Sequence, residues 1–217
     1  PIAEATPAVP ALMDMDGDDR QDTLVFGDLV GRLWALDLDD GRAYGDSPAF
    51  TVPGGVDEPI GAEVAVHDKV VVFGTGGVAG TSDQFQYALY AVKVAADGGS
   101  LRWRYPLQMG EKVWAAPVLD TFGNVMFATA SDYLPPGQPN EQPTTGRLVA
   151  IDREGMESSN RETAAATVGR VVAAPGIRPH GPTNPTSTHW FPTPSSGPAD
   201  SPGQGRSGGL CGRVTDG

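Results

Sequence analysis

The sequence is poor in cysteine, in basic residues and in long apolar runs. Cys211 is the one cysteine among 217 residues, which excludes an internal disulfide framework and a paired-cysteine zinc site. The 15 lysines and arginines stand against 27 aspartates and glutamates, so the formal charge is −12. Nucleic-acid binding requires the opposite, a basic surface. No apolar run approaches the ~18 residues that a membrane-spanning helix needs, so no such segment is expected.

Glycine and proline are abundant instead. The 29 glycines and 20 prolines make up about 23% of the chain, against a usual ~12%. This share is typical of a fold with many turns and argues against a helical bundle. Residues 175–217 consist largely of Pro, Gly, Ser and Thr and carry too little apolar surface to offset the entropy of ordering. We therefore predict a folded domain over residues 1–174 and a disordered, low-complexity tail or linker over residues 175–217.

The first 174 residues predict an all-β fold. Short segments rich in β-branched and aromatic residues are bounded by turn residues, and no stretch holds a helical apolar stripe over ten residues. His67 and Asp68 form the tight turn of a predicted hairpin. The predicted strands are residues 23–27, 32–37, 63–66, 69–74, 87–94, 101–105, 113–119, 125–130 and 147–151.

One of these segments is repeated along the chain. The sequence GRLWALD at residues 31–37 returns as GRLVAID at residues 146–152, and YALYAVK at residues 87–93 is a weaker copy. Repeats of ~40–50 residues built from four short strands are typical of propeller blades, and long loops lengthen the period. A single blade leaves a face uncovered, so blades stack on one another. The alternative is a β-sandwich with chance similarity between strands.

An acidic loop at residues 14–22 is the clearest chemical signal. Asp14, Asp16, Asp18 and Asp22 stand at loop positions 1, 3, 5 and 9, and Arg20 at position 7 can offer its backbone carbonyl. Ca²⁺ takes 6–8 oxygen ligands at ~2.3–2.6 Å, and a tightly curled acidic segment supplies them. The pattern predicts a calcium loop. A strand follows it rather than a helix, so a helix–loop–helix hand is not implied.

Position 6 of this loop holds Asp19, where calcium loops often have Gly. That position adopts a left-handed backbone, which Asp tolerates better than most residues do. We therefore expect the calcium loop to form, with weaker binding. The alternative interpretation is a solvated acidic turn without a metal.

Other candidate sites are weak. The glycine-rich residues 74–77 have no lysine and helix after them, as a phosphate-binding loop requires, and are interpreted as a turn at a strand end. His180, His189 and Cys211 lack the spacing of zinc ligands. No pair of carboxylates stands in a context that marks an acid and a base. We therefore predict no catalytic residues and no enzymatic activity.

Two longer stretches resemble a known family. The sequences DMDGDDRQDTLVFGDLVGRLWALDL and PIGAEVAV…VVVFGTGGVAGTSDQFQYALYAV resemble the C-terminal domain of the PilY (PilC/PilY) family of type IV pilus biogenesis and tip proteins, over about residues 8–174. The blade repeats are also similar to those of quinoprotein propellers. The resemblance implies a modified seven-bladed propeller, of which this chain holds three or four blades.

The resemblance also implies a site and a function. The calcium ligands would be Asp14, Asp16, Asp18, the Arg20 carbonyl and Asp22. The protein would be exported to the cell surface and would support pilus extension, twitching motility or adhesion. Its partners would be pilin or minor pilins, other pilus components, and host or abiotic surfaces.

Two alternatives of other classes stay open. A fragment of a quinoprotein (PQQ) dehydrogenase would share the blade repeat and use calcium beside its quinone. Against it, the acidic loop is a single linear segment, and one cysteine excludes the adjacent cysteines common in that class. The second alternative is an adhesive or scaffold propeller with integrin-like calcium loops. Such chains repeat the acidic loop in most blades, whereas it occurs once here.

Overall fold

The described part of the chain consists of short antiparallel strands. The computed structural model describes residues 9–78, 80–131 and 146–156, and the backbone of two short strands farther on. Within these ranges there is no α-helix, only 3-10 turns at Tyr44–Asp46 and Gly55–Asp57. The all-β prediction is confirmed. The strands are β1 (Ala11–Met13), β2 (Thr23–Gly27), β3 (Arg32–Asp37), β4 (Phe50–Thr51), β5 (Ala65–His67), β6 (Val70–Gly74), β7 (Ala88–Ala95), β8 (Gly98–Pro106), β9 (Lys112–Val113), β10 (Val118–Leu119), β11 (Val125–Ala130), β12 (Gly146–Ile151), β13 (Pro175–Arg178) and β14 (His189–Pro192).

The strands form successive sheets in chain order. Sheet 1 has the order β1-β2-β3-β4, and sheet 2 has the order β5-β6-β7-β8. Sheet 3 contains β10-β11-β12, with β9 paired to the far end of β11. Apart from β9, each strand pairs antiparallel with its successor in the same sheet, which is the meander of a propeller blade, and β10, β11 and β12 are the first, second and third strands of sheet 3. In the described ranges, no helix has the length and apolar character to cross a membrane.

The sequence repeat marks the third strand of each sheet. Strands β3, β7 and β12 carry it, and each pairs in the same register with the strand before it. In that register Leu33, Leu89 and Leu148 stand opposite Gly27, Gly74 and Ala128. The repeat therefore encodes one structural unit.

Sheet 2 packs between sheets 1 and 3. Phe73 and Tyr90 project from sheet 2 into the core shared with sheet 1, where their rings stack at 5.5 Å. The alternate residues Val72 and Leu89 project into a second core, which includes Phe127 of sheet 3. The first strands of neighbouring sheets also lie side by side, with β5 in contact with both β1 and β10. The described residues thus form a partial β-propeller of stacked sheets.

Gly27, at the end of β2, lies directly against Ile60, a residue of the segment that leads from sheet 1 to sheet 2. Any Cβ on Gly27 would overlap the side chain of Ile60, which is fully buried. The Ile60 amide donates to the Asp28 carbonyl at 3.0 Å. The absence of a side chain at Gly27 therefore allows the close approach of the two sheets.

The same contact recurs one sheet later. A Cβ on Gly74, at the end of β6, would overlap the side chain of Val113. The Val113 amide donates to the Thr75 carbonyl at 3.2 Å. Residues 74–77 therefore end a strand and receive the next sheet, in agreement with their interpretation as a turn.

A buried glutamate precedes each of these contacts. Glu58 is 2% exposed and accepts hydrogen bonds from the Tyr90 hydroxyl at 2.7 Å and the Thr75 hydroxyl at 3.1 Å. Burial raises the pKa of Tyr90, and the adjacent Glu58 raises it further, although a hydrogen bond from Arg104 opposes the shift. Tyr90 therefore stays protonated and remains a donor to Glu58.

Glu111 holds the equivalent place in front of sheet 3. Its two carboxylate oxygens accept from Nε and a terminal nitrogen of Arg147, each at 2.6 Å. Thr129 and the Gln108 amide donate to the same carboxylate. Burial alone would raise the pKa of Glu111, but these donors and the Arg147 charge outweigh it, so the pKa lies below its ordinary value of 4.5.

One predicted strand is divided in the structure. Residues 113–119 were expected to form one strand but form parts of β9 and β10, which pair with opposite ends of β11. Pro117 between them has no amide hydrogen to donate to a ladder. In the predicted tail, β13 and β14 pair with each other, which the low apolar content did not predict. The rest of residues 175–217 lies outside the described residues.

We predict that Gly74→Ala destabilises the fold by about 2 kcal/mol, because the added methyl group overpacks the contact with Val113. Val113→Ala creates a space and costs a similar amount alone. Combined, the two changes should cost less than their sum, as measured by urea unfolding. Gly74→Ala combined with Val92→Ala, on the opposite face of sheet 2, should be additive. If the changes in unfolding free energy were additive in both double variants, Gly74 and Val113 would not be in direct contact.

We also predict that Glu111→Gln costs about 3 kcal/mol at pH 7, because it leaves Arg147 without its charged partner. The folded pKa of Glu111 lies below the unfolded one, so this stabilisation is complete above pH 4.5 and is lost as the pH falls through the folded value. The difference in the free energy of unfolding between wild type and variant should therefore be smaller at pH 3 than at pH 7, as measured by urea titration. Glu154→Gln, at an exposed site, is the control and should change little at either pH. A difference in unfolding free energy that does not change with pH would show that the charge of Glu111 is not the source of the stabilisation.

Candidate metal centre

The acidic loop connects the first two strands of sheet 1. Its ends are fixed, because Met13 of β1 stands opposite Thr23 of β2 and the Asp22 amide donates to the Met13 carbonyl at 3.1 Å. The Asp22 carbonyl in turn accepts from the Leu38 amide at 2.8 Å, just past β3. The loop is therefore anchored to three strands of the sheet while its middle projects into solvent.

Hydrogen bonds to the backbone curl the loop around its carboxylates. The two oxygens of Asp14 accept from the amides of Gly17 at 2.6 Å and Asp19 at 2.9 Å. Asp16 accepts from the Asp18 amide at 3.0 Å, and Asp18 accepts from the Arg20 amide at 2.9 Å. Each acidic side chain thus folds back on the residues that follow it, as short acidic side chains do in turns.

Two residues of the loop have a left-handed backbone. Gly17 has a φ of 89° and Asp19 a φ of 67°. Asp19 therefore adopts at position 6 the conformation for which glycine is usual. For a residue with a side chain this conformation costs roughly 1–2 kcal/mol, with Asp and Asn the most tolerant.

Three of the predicted ligands converge. One carboxylate oxygen from each of Asp14, Asp16 and Asp18 lies within 4.8 Å of the other two. Oxygens that share an ion at ~2.3–2.6 Å are separated by no more than about 5 Å, so this spacing fits Ca²⁺. Asp16 and Asp18 are exposed and Asp14 is half-buried, which leaves room for water to complete the shell. The donor set, all hard oxygens, also suits calcium.

Asp22 does not belong to this group of three. Its Oδ1 accepts from the Met15 amide and from the Thr23 hydroxyl, both at 2.8 Å. Burial tends to raise the pKa of Asp22, but these hydrogen bonds outweigh it and lower the pKa. The carboxylate is thus ionised and fixes the loop's end to β2. Its role as a ligand remains a prediction, as does that of the Arg20 carbonyl.

Negative charge in the loop is weakly compensated. Asp14, Asp16, Asp18, Asp19 and Asp22 lie within nine residues, and in the described part of the chain no ion pair reaches any of them. Carboxylates at such short range repel one another. A divalent cation would remove that repulsion.

The equivalent connections in the other sheets differ. In sheet 2 the connection is a tight turn at Asp68, which has a φ of 53°. In sheet 3, Asp120 uses its carboxylate to accept from the amides of Phe122 and Asn124, both at 2.9 Å. Among the three described sheets, the converging carboxylates therefore occur in sheet 1 alone. This pattern disfavours a propeller with calcium loops in most blades.

Sequence reasoning named the acidic residues but missed what positions them. The backbone amide of Met15 and the hydroxyl of Thr23 hold Asp22, and nothing in the spacing of the acids indicates either group. The Thr23 hydroxyl also lies 3.3 Å from that of Tyr44, near the end of the loop. A threonine directly after the last acid was the one signal available.

Comparisons with known proteins add little to this geometry. The structure is similar to that of the quinohemoprotein alcohol dehydrogenase ADHIIG from Pseudomonas putida HK5, with a TM-score of 0.44, 17% identity, and coverage of 67% of this chain and 26% of that one. It is also similar to BamB from Moraxella catarrhalis, with a TM-score of 0.49, 16% identity, and coverage of 82% and 46%. The chain thus spans less than half the length of either protein.

Both TM-scores lie below 0.5, so neither similarity bears on function. The fold is assigned from the strand pairing and packing of this chain. No protein-family model and no curated protein matches the chain.

We predict that the loop depends on the backbone conformation of Asp19. Asp19→Val should destabilise the loop by about 1–2 kcal/mol and weaken calcium binding roughly tenfold, because a β-branched residue resists a φ of 67°. Asp19→Asn, which tolerates this conformation and removes the same charge, is the matched control and should retain most of the affinity. Calcium titrations of the two variants provide the measurement. Equal losses would show that charge, not conformation, matters at this position.

Proposed function

We propose that the chain is a calcium-binding propeller segment of a type IV pilus biogenesis or tip protein. The observation that carries the calcium proposal is the convergence of Asp14, Asp16 and Asp18 within 4.8 Å. The resemblance of the loop and blade motifs to the PilY family supports the pilus assignment. On this proposal the protein is exported, acts at the cell surface and performs no catalysis.

The residues that would hold the ion all belong to one connection. Asp14, Asp16 and Asp18 would be direct ligands, and the Arg20 carbonyl and Asp22 would complete the set through the loop's second half. When bound, the ion would supply positive charge that neutralises the carboxylates. A site built within one loop favours this proposal over a quinoprotein centre, which would draw calcium ligands from several blades.

Calcium would act as a switch of loop order. The loop is anchored at Asp22 to Met13 and Leu38, while Asp16 and Asp18 are exposed and Asp14 is half-buried. Neutralising them would favour one compact conformation over the extended ones that repulsion favours. An ordered loop would present a fixed surface to pilin or minor pilins, to other pilus components, or to a host or abiotic surface. Support of pilus extension, twitching motility or adhesion would then depend on calcium.

Calcium titration by calorimetry tests the proposed site. The chain should bind one Ca²⁺, and Asp16→Ala with Asp18→Ala should abolish binding. Asp39→Ala with Asp97→Ala, which removes two exposed acids from other turns, is the matched control and should bind as wild type does. At a hundred times the dissociation constant, calcium should stabilise the wild type by about 2.7 kcal/mol in thermal unfolding. Equal binding by both double variants would refute the site.

The same double variants test the pilus role. In cells that produce the parent protein, the loop variant should lower the number of surface pili and the control should not, as counted by electron microscopy. Normal piliation with a loop variant that is exported but binds no calcium would overturn the switch while leaving the site intact. The two readouts therefore separate metal binding from its proposed use.

A further inference from the structure

Each first strand contacts the first strand of the sheet before it. β5 contacts β1, β10 contacts β5, and β13 contacts β10. β13 also contacts β11, the second strand of sheet 3. It therefore lies against sheet 3 where a further first strand would lie.

The pairing of β13 supports this placement. β13 pairs antiparallel with the next strand, β14, and Gly176 stands opposite Phe191. In sheet 3, Val118 of β10 stands opposite Met126 of β11 in the same way. β13 and β14 are thus related to each other as the first and second strands of the earlier sheets are.

A sequence motif leads into each of these first strands. Residues 113–119 read VWAAPVL and residues 171–177 read VVAAPGI, with four of seven positions identical and Leu or Ile at the last. Residues 60–66, IGAEVAV, share the apolar first and last positions and the alanine at the third. The sixth position of each copy is a paired strand residue: Ala65, Val118 and Gly176. The motif therefore predicts where a sheet begins.

Sheet 3 has an apolar face that points away from sheet 2. Val125 and Phe127 of β11 pack towards sheet 2, and the alternate residues Met126 and Ala128 project to the other side. Met126 is 4% and Ala128 2% exposed, so other parts of the chain cover this face. Ala128 is at the register position of Gly27 and Gly74, the residues that receive Ile60 and Val113 of the next sheet.

We propose that residues 171–192 begin a fourth sheet, which docks on this face of sheet 3 with Val171 at the place that Val113 takes against Gly74. The occupant is the chain's own segment, because β13 already contacts β10 and β11 and the motif stands in register with it. The boundary of the propeller then lies beyond Pro192 rather than at residue 174. The inference is independent of calcium binding and of any pilus role.

Cross-linking tests the docking. In a chain with Cys211→Ser, Ala128→Cys combined with Val171→Cys should form a disulfide within one chain under mild oxidation, seen as a faster monomer band on a non-reducing gel. The matched control replaces Val171→Cys by Val214→Cys, which lies beyond the proposed sheet. The first pair should cross-link about tenfold faster or more, since docking raises the effective concentration of the two thiols.

Other outcomes of cross-linking overturn the proposal. A disulfide between two chains, seen as a dimer band, would mean that a second copy occupies the face. A rate equal to that of the control, or no disulfide, would mean that residue 171 does not dock beside Ala128.

Hydrogen exchange on the unmodified chain provides a measurement that does not depend on variants. Paired amides of β13 and β14 should exchange at least about a hundredfold more slowly than amides in residues 200–217, since they open only with the sheet. Exchange in β13 and β14 at the rate of a free peptide would refute a fourth sheet. Both experiments use the chain over its full length.

Discussion

The close approach of each sheet to the next is the constraint on which the described structure depends. A strand can carry side chains on both faces, but at the two sheet contacts formed by Gly27 and Gly74 the residue that receives the next sheet has no room for one. Gly27 and Gly74 satisfy this condition, and the amides of Ile60 and Val113 complete it by donating to carbonyls at those strand ends. Since the same contact recurs, each sheet joins the next in the same manner, and the sheets stack as blades do.

The buried carboxylates of Glu58 and Glu111 occupy equivalent positions in successive sheets but are stabilised by different hydrogen-bond donors. Glu58 is held by neutral donors, the hydroxyls of Tyr90 and Thr75, whereas Glu111 is held by the charged Arg147. An isolated buried carboxylate would be costly, so each needs its own set of donors. The side-chain donors lie on the third strand (Tyr90, Arg147), on the second strand (Thr129) or directly after it (Thr75) in the sheet that the glutamate precedes. Each glutamate therefore fixes the entering chain to its own sheet, and the glycine contact fixes it to the sheet before.

The sequence predicted the strands that are long and rich in β-branched residues, and it missed those whose formation depends on neighbours. Strand β2 carries its own signal, while β4 has two residues and forms because β3 offers an edge. In the loop, the spacing of the acids predicted the convergence of Asp14, Asp16 and Asp18, because alternate residues of a curled segment face one centre. Asp22 differs, since its partner is the Met15 amide, and backbone donors leave no trace in a sequence. The tail was interpreted by composition, which measures burial potential and is insensitive to strand register.

The position of the acidic loop connects the proposed metal to the stacking of the sheets. The loop begins directly after β1, and β1 contacts β5 of sheet 2. Met13 and Met15, on either side of Asp14, are buried in the core that sheets 1 and 2 share. Repulsion among the carboxylates would thus act on a segment whose apolar residues help to join two sheets. A cation that relieves the repulsion would stabilise the contact between the sheets as well as the loop. Calcium, if bound there, would act on the rigidity of the stack from its edge.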